Sequence, residues 1–168
     1  FIATPGAIVH VGATPVFADV RDDQLIDPAD IERKITPRTK AIMPVHWTGK
    51  MCDMDAISDI ATRHDLMILE DSAQSMGSSY NGTHGGLFGL AGAISCHPLK
   101  NLNALGDGGF LLTDDDEVAR KVGLYRNHGL ESRDTVVNFG INRRPDDLSS
   151  AGLKLRLATR RRLIARGR

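Results

Sequence analysis

The chain has 168 residues, enough for one hydrophobic core, and its 41% apolar content is that of a water-soluble globular domain. Lysine plus arginine and aspartate plus glutamate number 21 each, so no global field favours nucleic acid or an anionic membrane. No apolar run approaches the ~20 residues that span a bilayer, nothing at the N-terminus reads as a signal peptide, and two cysteines, Cys52 and Cys96, do not make a disulfide framework; a reducing cytoplasm is the expected compartment.

In chain order, Pro15 to Asp19 reads as a short strand. Asp27-Pro28 opens a helix through about Lys34, with aspartate as cap and proline in the first turn. Lys40 to Val45 reads as a buried strand. Asp53 to His64 carries Met54, Ile57, Ile60 and Ala61 at helical spacing, one apolar face. Leu66 to Leu69 is the next strand, without polar alternation, as in a sheet covered on both sides. Asp71 then falls at its carboxyl end, the edge where open α/β sheets gather ligands. Gly77 to Gly92 is rich in turn residues. Ala93 to Cys96 forms a short strand leading to Lys100, and Gly109 to Thr113 another. Asp114 to Asp116 cap a helix bearing Val118, Ala119, Val122, Leu124 and Tyr125. Residues 127 to 142 carry few strong signals, and the chain shows no internal repeat.

The histidines, among them His46, His64, His84, His97 and His128, are scattered, with no pair at zinc-site spacing and no Cys-x-x-Cys, so no metal site is expected. Another constellation is coherent. A lysine amine condenses with an aldehyde, a carboxylate facing a pyridine nitrogen keeps it protonated, and hydroxyls with turn amides hold phosphate. Lys100, Asp71 and Ser95, each at or just beyond a strand end, supply those three groups for pyridoxal phosphate. Taken singly, Lys100 reads as a solvated charge, Asp71 as a helix cap, Ser95 as a small strand residue and the glycines of 106 to 109 as a tight turn. His97, three residues before Lys100, reads as a polar residue orienting the lysine loop.

The stretches Ile68-Leu69-Glu70-Asp71-Ser72-Ala73-Gln74-Ser75-Met76-Gly77, Ser95-Cys96-His97-Pro98-Leu99-Lys100-Asn101-Leu102, Gly106-Asp107-Gly108-Gly109 and Arg126-Asn127-His128-Gly129 resemble the DegT/DnrJ/EryC1/StrS family of sugar aminotransferases. The agreement extends upstream through Gly12-Ala13-Thr14-Pro15-Val16-Phe17, Thr39-Lys40-Ala41-Ile42 and Pro44-Val45-His46. This resemblance implies an α/β fold: the three-layer α/β/α large domain of aspartate-aminotransferase-like, fold type I enzymes, with a mostly parallel sheet. Family members are about twice as long, so residues 1-168 are expected to be a partial large domain, incomplete at both ends, without the N-terminal segment and the C-terminal small domain.

By the same resemblance Lys100 is the Schiff-base lysine and Asp71 the partner of the pyridine nitrogen. Gln74 lies near the ring hydroxyl and Ser95 binds phosphate. Phe1 falls where family members stack an aromatic ring on the cofactor, and Asn142 matches an asparagine that reaches the partner subunit's phosphate, which implies a homodimer with shared sites. The cofactor is pyridoxal 5'-phosphate; the substrates are a keto sugar, nucleotide-linked, and an amino-acid donor, glutamate or glutamine. Related sugar 3-dehydratases resemble this family with histidine in place of the lysine, so Lys100 favours amino transfer over dehydration. The alternatives are a truncated, catalytically incomplete fragment of such an enzyme and a pyridoxal-phosphate-dependent sugar dehydratase relative.

The tail departs from the family pattern. Arg144-Pro145-Asp146-Asp147-Leu148-Ser149-Ser150-Ala151 stands where a Gln-Ala-Ala helix is typical. Beyond it Leu153, Leu155, Leu157, Leu163 and Ile164 alternate with Arg156, Arg160, Arg161, Arg162, Arg166 and Arg168, which reads as a solvated face or a dimer helix in preference to a nucleic-acid contact.

Overall fold

The computed structural model describes residues 1–166, with side chains through Thr159. Its centre is a four-stranded sheet of order β1-β2-β5-β6, built from β1 (Ala41–Ile42), β2 (Met67–Asp71), β5 (Ala91–Ser95) and β6 (Gly109–Leu112). The first two pairings are parallel and the last is antiparallel. With helices between the strands, this is the α/β fold expected. Two small antiparallel hairpins flank it: β3 (Ser79–Tyr80) with β4 (Thr83–His84), and β7 (Leu130–Ser132) with β8 (Thr135–Val136).

Three helices begin as the sequence predicts. Asp27 caps α2 (Pro28–Lys34) by accepting from Ala29 N–H, Asp53 caps α3 (Met54–Arg63) through Ala56 N–H, and Asp115 caps α4 (Asp116–Tyr125) through Val118 N–H. Met54, Ile57, Ile60 and Ala61 of α3 all lie in the main core with Leu25, Ile31, Ile42, Cys52 and Ile68. Each large side chain fully buried in this way contributes roughly 2 kcal/mol.

The expected strand over Pro15 to Asp19 is absent. Pro15 has no N–H to give, Asp19 N–H goes to the Asp30 carboxylate, and Phe17 C=O accepts from Lys34 Nζ, so side chains of α2 take the groups a ladder needs. What pairing there is consists of a single antiparallel bridge, Val20 to Ile26. An unpredicted helix, α1 (Ala3–His10), starts the chain and buries none of its residues. Pro5 falls in its first turn, where a missing N–H costs nothing, and Gly12, at φ +76°, follows its end. The hairpin β7–β8 occupies part of the region that carried few signals.

Helix α5 (Asp147–Arg166) ends the described chain. Leu153 packs on a small cluster of Cys96, Leu102 and Ala104, while Leu155 and Leu157 are exposed. Side chains of the basic tail at Arg160, Arg161, Arg162, Leu163, Ile164 and Arg166, and all of Arg168, lie outside the described residues.

Candidate active site

Strand β2 carries two acids on opposite faces. By strand alternation Leu69 and Asp71 share one face, and Ile68, Glu70 and Ser72 share the other. Register places Asp71 beside Ala93, and Ser95 lies two residues further along β5 on the same face. Asp71 is half-buried: Oδ2 accepts from Thr4 Oγ1 at 2.6 Å, and Oδ1 from Ala73 N–H at 3.1 Å. Its backbone is held from the other side, with N–H donating to Pro44 C=O and C=O accepting from His46 N–H.

The lysine loop leaves the end of β5 through a turn in which Ser95 Oγ accepts from His97 N–H, His97 Nδ1 accepts from Leu99 N–H, and Lys100 N–H donates to His97 C=O. His97 therefore shapes the loop, as its position suggested. Beneath it, Leu102 and Ala104 pack on Cys96, and Ala104 N–H donates to Cys96 C=O. Arg156 of α5 hydrogen-bonds the Asn103 side chain from above. Lys100 is partly buried, and Nζ has no hydrogen bond or ion pair among the described residues. An amine held by its backbone with an unengaged head is what condensation with an aldehyde requires.

Gln74 follows β2, and its Oε1 accepts from Thr48 N–H at 2.6 Å. Thr48 is a β-branched residue at φ +55°, a conformation costing about 1–3 kcal/mol, and the Gln74 bond helps to hold it. Phe1 is 84% exposed, but its C=O accepts from the N–H of Thr4, which places it next to the residue that touches Asp71. Asn142 lies apart: it bridges to Asn127, and its Oδ1 accepts from Arg144 Nε.

The reverse face of β2 holds groups the sequence reading did not single out. Glu70 and His46 side chains are fully buried and meet at 2.9 Å. His46 Nδ1 accepts from Cys52 N–H, so the ring proton belongs to Nε2 and is donated to Glu70 Oε2. Burial raises the Glu70 carboxyl, and the bonds from His46 and from Gly86, Gly89 and Phe88 N–H outweigh it, leaving the group below the usual carboxylate range. An acid one residue from Asp71 in an otherwise apolar strand was the signal: alternation sends it inward.

These residues fit a flat anionic aldehyde with a basic ring nitrogen. A carboxylate lies in register beside the small, exposed Ala93, a hydroxyl sits further along the same face, and the amine follows on the next turn. Among the described residues there is no group of three or more potential metal ligands, and no helix is long and apolar enough to cross a membrane.

Fold and site together define an α/β protein that gathers an amine, a carboxylate and hydroxyls at one edge of its sheet. The whole chain, residues 1–168, matches the family model described as the DegT/DnrJ/EryC1/StrS aminotransferase family, and it belongs to that family. It is 45% identical over 157 residues to a protein of Geobacillus stearothermophilus named pleiotropic regulatory protein, covering 93% of this chain and 42% of that one. It is 46% identical over 156 residues to the UDP-N-acetyl-3-dehydro-alpha-D-glucosamine 3-aminotransferase of Acidithiobacillus ferrooxidans, covering 92% and 42%. Among solved structures, Streptomyces venezuelae DesV in complex with a ketimine intermediate superposes with a TM-score of 0.90 at 41% identity, over 95% of this chain and 43% of DesV. The chain thus spans less than half the length of the relatives it matches.

Proposed function

We propose that this chain is the cofactor-binding part of an aminotransferase that uses pyridoxal 5'-phosphate to move an amino group from an amino acid, glutamate or glutamine, onto a keto sugar carried on a nucleotide. The observation that supports it is the unengaged Lys100 amine, set by a rigid turn beyond the sheet edge that carries Asp71 and Ser95. Family membership and relatives named as nucleotide-sugar aminotransferases supply the substrate class. Pyridoxal phosphate, when bound, supplies an aldehyde and an electron-accepting ring.

Each residue then has a distinct task. Asp71 would pair with the ring nitrogen and keep it protonated. Lys100 would hold the cofactor through its amine and, once freed, its Nζ would carry the proton that leaves the donor Cα. Ser95 Oγ would bind a phosphate oxygen, Gln74 would lie near the ring hydroxyl, and Phe1 would stack on the ring. Asn142 reaches the phosphate of a second copy, so the assembly is a homodimer. Residues 1-168 belong, in this reading, to the large domain.

The test is borohydride reduction of the cofactor-loaded protein, expressed from its complete coding sequence, followed by peptide mapping. The label is expected on the peptide containing Lys100 and is lost in Lys100→Ala; Asp71→Ala keeps some label and loses amino transfer. A label on another peptide sinks the proposal.

A further inference from the structure

The reverse face of β2 is built around one carboxylate with all its partners aimed inward. Glu70 Oε2 accepts from His46 Nε2–H at 2.9 Å and Gly86 N–H at 2.7 Å; Oε1 accepts from Phe88 N–H at 2.7 Å and Gly89 N–H at 2.9 Å. Both oxygens are filled by donors, so neither offers an easy place for a proton. The segment so held lies directly on the sheet. A Cβ on Gly92, which pairs in register with Glu70, would come 2.2 Å from Gly86 Cα, and one on Gly89 would come 2.3 Å from Ile68 C=O.

His46 joins this anchor to the active site. Its ring donates to Glu70, and its backbone N–H donates to Asp71 C=O at 3.1 Å. One residue therefore grips both acids, one by side chain and the other by main chain. A buried carboxylate bonded to a neutral imidazole is weak evidence for stability, since taking the charge out of water costs much of what its hydrogen bonds return. Its distinctive contribution is directional: four donors fix where the end of β2 sits.

We propose that Glu70 and His46 are positioning residues for Asp71, coupling segment 86–89 on the back of the sheet to the cofactor edge on its front. This rests on Asp71 being the partner of the ring nitrogen. The pair acts through the backbone of β2 and touches neither cofactor nor substrate. His46→Leu removes the donor to Glu70 and the acceptor for Cys52 N–H. His46→Gln restores both, because a carboxamide donates through nitrogen and accepts through oxygen.

The experiment uses the protein expressed from its complete coding sequence and pyridoxal phosphate as the probe. Three quantities are read: the dissociation constant for the cofactor, the 15N shift of its ring nitrogen as a report on the Asp71 contact, and amide exchange with and without cofactor. His46→Leu is expected to weaken binding about tenfold and to move the ring-nitrogen shift in the direction Asp71→Ala does, with His46→Gln recovering most of both. Should His46→Leu fail to fold, the wild-type exchange decides: loading the cofactor slows the amides of Gly86, Phe88 and Gly89 along with that of Ala73. A cofactor bound at Lys100 whose loading leaves the 86–89 amides unchanged, or a ring-nitrogen shift the same in wild type and His46→Leu, overturns this proposal alone. Wild-type protein with no label at Lys100 overturns the reading of the site and this proposal with it.

Discussion

Thr4 Oγ1 donates a 2.6 Å hydrogen bond to Oδ2 of Asp71 across 67 residues of chain, tying the first turn of α1 to the end of β2. Hydrogen bonds to charged groups are worth about 1.5–3 kcal/mol, so this contact sets the carboxylate's rotamer as well as its position. Thr4→Val keeps the shape and removes the donor. It is expected to weaken cofactor binding by roughly tenfold, while Thr4→Ser stays near wild type, both read by absorbance titration. Equal affinity for the two variants contradicts the role.

Two glycines in regular structure predict opposite outcomes. Gly92 lies under Gly86 with no room for a methyl group, whereas a Cβ on Gly123, inside α4, meets nothing within 4 Å. Gly92→Ala is expected to cost upwards of about 3 kcal/mol, since backbone must move, and Gly123→Ala to gain about 1 kcal/mol from helix propensity. Urea unfolding measures both, and Gly92→Ala at wild-type stability contradicts the close approach.

Acid sensitivity has an identifiable source between α2 and α3. Glu32 accepts from both arms of Arg63 and from His64, and Arg63 first, then His64, hold its carboxyl at about 2 against the usual 4.5. A carboxylate lowered on folding contributes stability that is fully present above its unfolded value and lost as pH falls through the folded one. Thermal melts between pH 4.5 and 2 are expected to fall less steeply for Glu32→Gln than for wild type. The difference shrinks in high salt because the cluster is exposed. Identical slopes count against the assignment.

Cys52 and Cys96 are fully buried free thiols. Burial pushes Cys52 up to about 11 and raises Cys96, so the reactive thiolate is scarce in both. Neither is expected to react with a thiol reagent in the native state at pH 8, and both to react in denaturant, as followed by Ellman absorbance. Rapid native labelling of either refutes the packing.

Local chemistry was legible in the sequence. Aspartate caps at Asp27 and Asp115 and the apolar face of α3 depend on residues within a turn or two, and each appears as expected. The end of β2 was legible because an apolar run stops at two acids, though the strand runs on through Glu70 and Asp71, whose partners Gly92 and Ala93 lie over 20 residues away. Helix α1 was not, since Ile2, Ala3, Ala7, Ile8 and Val9 give no polar side and Pro5-Gly6 argues against a helix. Nor was the strand-like run from Pro15 to Asp19 recognisable as an extended segment bound to side chains. The Thr4–Asp71 and His46–Glu70 contacts need the sheet register, which a linear pattern does not contain.

The pleat of β2 places neighbouring acids in different media, Asp71 wet and Glu70 dry. A single residue inserted or deleted between Met67 and Leu69 shifts the strand by half its repeat and exchanges their environments, stranding a carboxylate at the floor of the domain and turning the other anchor outward. Point substitutions leave that parity intact. Chimeras spliced within this strand therefore survive only when the junction preserves odd and even positions.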